Sequence, residues 1–320
     1  MMDGVFAQHS RERDLQKLWN QLDELGLVRL TGPEPSGGSG AGWPEAAALL
    51  AAAVRHGVRV PLAEHDLLAC WLLDAAGLAV DGARRTVGVV GSDGVARAVP
   101  WASQAQRVVL VTPRPDGYRV ADRDVEDVAI THGANMIGEP RDTVTVGDDA
   151  GGTTVSAELI EQLRLKSALV RGIQVCAALD SALDSAIEHT TSREQFGRPL
   201  AKFQAVQHLI ADMAAEAALA RTATEAALLA AVDTDWSAPQ LDFLVAVARS
   251  CSGHAASVVV RNAHQVHGAI GTTEEHRLHE YTRAALAWRS EFGTVGEFDE
   301  QLTRAAVAAG PGALWQTICP

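Results

Sequence analysis

Past Gly151-Gly152 the sequence holds four long stretches without an interior proline, and this limits the fold more than any other feature. Residues 156–189, 203–232, 241–266 and 274–288 are rich in Ala and Leu, which cost least in a helix. Pro239 stands just before the third stretch, where a helix tolerates proline. Four long helices joined by short connections predict an antiparallel bundle.

The first half reads differently. Leu15, Leu18, Trp19, Leu22 and Leu25 recur at helical spacing within residues 10–25, and Gly26 is the expected stop. A Gly-, Pro- and Ser-rich segment follows over residues 31–43. It lacks the Gly-Lys-Ser/Thr of a phosphate loop and reads as a flexible connection. Pro44 opens a second helix to about residue 56, apolar nearly all round, and a third covers residues 62–76. Residues 85–91, 96–101, 107–112, 117–121 and 125–131 are short, Val-rich and punctuated by Gly, Pro and Asp. They predict a small β module. The expected fold class is mainly α: an N-terminal helical domain (1–81), a truncated middle β domain (82–150) and a C-terminal four-helix bundle (151–320).

Charge narrows the function. Across 320 residues, 27 Lys and Arg face 40 Asp and Glu, a formal net charge of −13. Nucleic acid and anionic membrane surfaces repel such a chain, so neither is an expected partner. Arg11, Arg13, Asp14 and Lys17 interrupt any secretory signal, and no uncharged apolar run approaches a membrane span. Cys70, Cys176, Cys251 and Cys319 lie far apart with no CxxC, which suits free thiols in a cytoplasmic protein.

Four segments could carry chemistry. His264 and His267, like His276 and His279, are three apart and could share helix faces. HExxH is absent, and the pairs read as surface or interface histidines rather than metal ligands. Arg193-Glu194-Gln195-Phe196-Gly197-Arg198-Pro199-Leu200 falls between two long helices. It reads either as hairpin punctuation with Phe196 as a core plug, or as a guanidinium beside an aromatic ring, suited to a pyrophosphate and a stacked ring. Gln265-Val266-His267-Gly268-Ala269-Ile270-Gly271 ends a helix in small residues that admit a close backbone approach. In Trp288-Arg289-Ser290-Glu291-Phe292-Gly293-Thr294, an acid precedes a tight turn.

Together these segments resemble the C-terminal half of the acyl-CoA dehydrogenase family. The resemblance rests on Arg-Glu-Gln-Phe-Gly-Arg-Pro-Leu, then Phe-Gln-Ala-Val-Gln-His-Leu-Ile-Ala-Asp-Met, Gln-Val-His-Gly-Ala-Ile-Gly and Glu-Phe-Gly-Thr in that order. It implies FAD, an acyl-CoA substrate desaturated across its α and β carbons, and an electron-transfer acceptor. By that resemblance Arg193 and Phe196 would meet the FAD pyrophosphate and adenine, with Gln195 between them as a further cofactor-binding candidate at a position where Gln is common in the family. Phe203 and Gln204 would form a second contacting pair. Gln265 and Gly268 would match the family's QxxGG loop, and Thr294 the threonine after the catalytic base.

The departures are as informative. Counting back from Arg193, Ser167 stands at one family position for the base and Ala168 where an Arg is usual. Glu291 is the acid nearest the other position, with Phe292 inserted before Gly293-Thr294. The family's flavin-facing Trp-Ile-Thr/Ser segment has no counterpart between Gly82 and Gly151. This pattern is similar to the short subunits of heteromeric acyl-CoA dehydrogenases of actinobacterial steroid degradation. That likeness implies an α2β2 assembly in which a larger partner subunit supplies the base and shares the FAD. Two other readings stay open: a self-sufficient homomeric enzyme with Glu291 as base, and a non-catalytic scaffold subunit.

Overall fold

The computed structural model describes residues 2–9, 14–115, 117–147 and 151–318. Ser10, where the first predicted helix begins, Asp149 at the end of the β module, and Cys319 lie outside the described residues. The chain divides into two compact units, Met1–Ser167 and Ala168–Pro320.

The first unit opens with α1 (Met2–His9) and α2 (Leu15–Glu24). Asp14 caps α2 by accepting from the Gln16 and Lys17 amides, and Leu18, Trp19 and Leu22 fall on its buried face. The Gly-rich segment is not the flexible connection expected. Ser39 N–H donates to Arg29 O, Gly40 N–H to Gly32 O and Ala41 N–H to Leu30 O, while Arg29 reaches the Ser36 carbonyl. A Cβ on Gly38 would collide with the Gly32 backbone, so glycine here permits a close approach rather than mobility.

After α3 (Trp43–Arg55), the predicted third helix forms a widened π-helical stretch, Ala63–Cys70, continuing into α4 (Trp71–Ala75). Glu64, His65 and Asp66 are buried on it. Two of these polar groups are spent on backbone donors. His65 Nδ1 accepts the Arg85 amide at 3.0 Å and Asp66 Oδ2 the Thr31 amide at 2.9 Å. Buried polar groups need such partners, and meeting them outweighs regular α geometry here.

Among the described residues, seven strands follow in two sheets. They are β1 (Arg85–Val89), β2 (Val95–Pro100), β3 (Arg107–Arg114), β4 (Gly117–Asp124), β5 (Ala129–Thr131), β6 (Arg141–Thr145) and β7 (Thr153–Val155). One sheet runs β1-β3-β4-β7, with β1 and β3 parallel and the other pairs antiparallel. The other is an antiparallel β2-β6-β5 sheet. Val90, Ala96, Val99, Val108, Leu110 and Val144 close a common apolar core. The sequence reading lacks β6 and β7, which are short and rich in Thr.

The long helix α5 (Ala157–Ser192) leads into the second unit. A ribbon of β8 (Glu194–Gln195) and β9 (Arg198–Pro199) joins it to α6 (Gln204–Asp233). Then come α7 (Leu241–His267), α8 (Leu278–Trp288) and α9 (Val295–Ile318). Small residues let these helices approach closely: Ala217, Ala220 and Ala227 of α6, and Ala246, Ala248, Ala255 and Ala256 of α7, are all buried. By length and composition α7 is apolar enough to cross a membrane, but half of its apolar window is buried in the bundle. The four predicted helices are present, and α9 adds a fifth, packed on α7 and bent at Gly310-Pro311.

Candidate functional site

The segment between α5 and α6 is a two-residue β-hairpin. Gln195 pairs with Arg198, and the loop residues Phe196 and Gly197 have φ of 53° and 79°. Positive φ at both positions is the type I′ turn, whose twist matches that of the flanking strands. The turn throws Phe196 outward. It is 89% exposed, so it is no core plug. Its ring meets Phe203 edge-on at 6.1 Å, and the Arg198 guanidinium lies 4.2 Å from the centre of the Phe203 ring. Phe203 itself sits at the N-cap of α6 with Gln204 beside it in the first turn.

Arg193, Gln195, Gln265 and Gly268 come together around one cleft of about 550 Å³, with His189 and His267 in its wall. Arg193 and Gln195 arrive from the α5 end and the hairpin, Gln265 and Gly268 from the end of α7. Gly268 has φ 63° and ψ −141°, a conformation left almost entirely to glycine. A guanidinium and two carboxamides offer convergent N–H donors, suited to phosphate oxygens. Phe196, Phe203 and Gln204 lie outside the cleft lining, on the hairpin and the adjoining start of α6.

Glu291 and Thr294 belong to a different place, the turn between α8 and α9. Arg171, buried on α5, donates through Nε to Glu291 Oε2 at 2.8 Å and through Nη1 to Gln174 Oε1 at 2.6 Å. Arg249 of α7, also buried, donates to the carbonyls of Ala168, Arg289, Glu291 and Gly293 at 3.0–3.2 Å. Burial and the nearby Arg171 push its pKa down to about 9. These carbonyls hold the turn around the inserted Phe292, whose φ is 53°. Thr294 spends its groups locally. Its amide and hydroxyl donate to Glu297 Oε2, and the Glu297 amide donates back to Thr294 Oγ1, forming a capping box at α9. Ser167 donates its hydroxyl to Leu163 O at 2.7 Å, one turn back in its own helix.

The histidines do not pair as their spacing suggests. His264 Nε2 turns to Thr282 Oγ1 at 3.0 Å, and His279 Nδ1 donates to the His276 carbonyl at 2.8 Å. His267 is buried rather than on the surface. It joins His276 and a third residue that spacing along α7 and α8 does not reveal, His189 of α5. The one sequence clue to His189 is its position four residues, about one helical turn, before Arg193.

Residues 151–305 match the family described as Acyl-CoA dehydrogenase, C-terminal domain. The acyl-CoA dehydrogenase FadE34 of Mycobacterium tuberculosis is 28% identical over 295 residues, covering 88% of this chain; the chain spans only 41% of FadE34. Among solved structures, the ChsE4-ChsE5 complex from Mycobacterium tuberculosis superimposes with a TM-score of 0.83 at 23% identity, over 97% of this chain and 96% of that one. A structure described as the Tcur3481-Tcur3483 steroid ACAD G363A variant gives 0.84 at 22% identity, over 97% and 96%. At those identities the two structures establish the fold, helices and reduced sheets together. Residues 151–305 thus carry the C-terminal domain of the acyl-CoA dehydrogenase family, oxidoreductases that act on acyl-CoA.

Proposed function

We propose that the chain is one subunit of a hetero-oligomeric, cytoplasmic acyl-CoA dehydrogenase acting on a steroid side-chain CoA thioester. In this reading it lends its cleft to an FAD shared with a larger partner subunit in an α2β2 assembly, and a separate electron-transfer protein serves as acceptor. The observation that carries the reading is the meeting of Arg193, Gln195, Gln265 and Gly268 in one cleft. Those donors fit a pyrophosphate, and the exposed ring of Phe196 offers a face on which an adenine can stack.

The division of labour follows from how Glu291 and Ser167 are engaged. FAD supplies a hydride acceptor for the β carbon, while the α proton requires a carboxylate. Glu291 is engaged by Arg171, and Ser167 is hydrogen-bonded within its helix. A carboxylate held by a buried guanidinium is a poor proton acceptor, since protonation would break the ion pair and strand the cation. The base is therefore assigned to the partner. Two comparisons support the partner and the substrate class: the ChsE4-ChsE5 structure is a complex, and the Tcur3481-Tcur3483 structure is described as a steroid ACAD.

Coexpression with an adjacent acyl-CoA dehydrogenase gene tests this. The expected result is a stable complex that holds FAD and oxidises a steroid acyl-CoA, with flavin lost on Arg193→Ala. Stoichiometric FAD and full activity in the chain purified alone would overturn the reading.

A further inference from the structure

We propose that His189, His267 and His276 form a binding site for a divalent transition metal of the zinc class. One ring nitrogen from each lies within 4.8 Å of the others. The His189 and His267 rings stack at 4.6 Å with 21° between their planes, and His276 stands edge-on to both at 4.7 and 6.1 Å. The residues come from α5, the end of α7 and the segment before α8, so the bundle itself gathers three imidazoles that are distant in sequence.

The surroundings of the rings fit ligation. His267 Nδ1 donates to the Ala263 carbonyl at 2.7 Å, which leaves the Nε2 lone pair facing outward. A backbone carbonyl on the far nitrogen is the usual device for fixing a metal-binding tautomer. Ser185 Oγ, 3.3 Å from that Nε2, is a replaceable polar neighbour. The ring nitrogens of His189 have no hydrogen-bond partner among the described residues. His276 Nδ1 accepts the Leu278 amide at 3.1 Å. Ligation by His276 gives up that bond, worth about 1 kcal/mol, against a metal–nitrogen bond.

Burial and the mutual proximity of the rings lower the pKa of both His267, to about 4, and His189. Both shifts favour the uncharged imidazole in His267 and His189, the form that binds metal. Three imidazoles without a thiolate or carboxylate suit Zn(II), Co(II), Ni(II) or Cu(II) rather than Mg(II) or Ca(II). They also leave a fourth position for water or an anion. His189 and His267 wall the cleft, so that position is available to a phosphate oxygen entering beside Arg193. The site is read from the histidines alone and does not depend on the flavin assignment.

Co(II) titration of the full chain, carrying no histidine tag and with any copurifying partner, tests the proposal. The expected result is one equivalent bound with visible d–d bands, displaced by Zn(II). His189→Gln and His276→Gln should each weaken binding at least 10-fold. His276→Cys, which keeps a ligand, should restore a coloured complex with an added thiolate charge-transfer band. His132→Gln, at an exposed histidine outside the cluster, should change nothing. Absence of a stoichiometric complex in the folded wild-type chain would overturn the proposal. So would equal binding by wild type and both Gln variants.

Discussion

Arg171 and Glu291 stand 120 positions apart in sequence and meet at 2.8 Å, with the guanidinium 1% and the carboxylate 15% exposed. The side chain that best resembles a family base is therefore a counterion. Removing one partner strands the other, at a cost of about 3–5 kcal/mol when the pair is buried. Glu291→Ala should accordingly lower the chain's stability by roughly 3 kcal/mol by denaturant unfolding. Glu291→Gln keeps an acceptor for Arg171 and should cost less, and in the assembled enzyme kcat should fall by less than about 10-fold. A loss nearer the 10²–10⁴-fold of a missing general base would instead make Glu291 the base.

Arg193 and Gln265 are exposed and support no described core contact, so replacing them separates binding from folding. Each charge-assisted hydrogen bond to a phosphate is worth about 1.5–3 kcal/mol. Arg193→Ala should weaken flavin retention by roughly 10- to 100-fold, and Gln265→Ala by less, with the melting temperature of the flavin-free chain unchanged. Flavin absorbance after gel filtration, together with thermal unfolding of the apoprotein, measures both.

Phe196 offers a sharper separation. A non-glycine residue in the left-handed region costs roughly 1–2 kcal/mol, and asparagine bears that conformation more easily. Phe196→Asn should stabilise the flavin-free chain by about 0.5–1 kcal/mol while weakening flavin binding in the complex. A stabler chain with unimpaired binding would remove the ring from the cofactor site.

Asp66 gives the first unit a pH dependence. Burial raises its pKa from 3.8 to about 6, against the opposing Thr31 amide bond, and its Oδ1 meets no donor among the described residues. The folded state therefore favours the protonated acid. That contribution is present below pH 4 and is lost as pH rises through 6. Asp66→Asn keeps an oxygen for the Thr31 amide and should be neutral at pH 4 but stabilising by about 1–3 kcal/mol at pH 7. Urea unfolding at the two pH values measures the difference.

Much of this was legible in the residues because the long helices carry their own signals. Uninterrupted Ala-Leu stretches bounded by Gly and Pro mark α5, α6 and α7 to within a few residues. The cleft was legible too, since Arg193, Gln195, Gln265 and Gly268 lie in two short segments with recognisable chemistry. What could not be read depends on distant pairing. Arg171 gives no hint that it will find Glu291, nor His189 that it will stack on His267. The strands β6 and β7 are short and polar, so alternation barely registers. In the Gly-rich segment composition suggested freedom, whereas its amides are committed to carbonyls nearby.

The turn that Arg249 holds has an evolutionary consequence. A guanidinium that grips main-chain oxygens is indifferent to which side chains hang from them. Side chains of the turn other than Glu291 and Phe292, which both meet Arg171, can then be exchanged with little effect on that grip, provided three carbonyls still reach α7. Relatives that keep this turn are expected to keep an arginine on the neighbouring helix, whatever the letters of the turn itself.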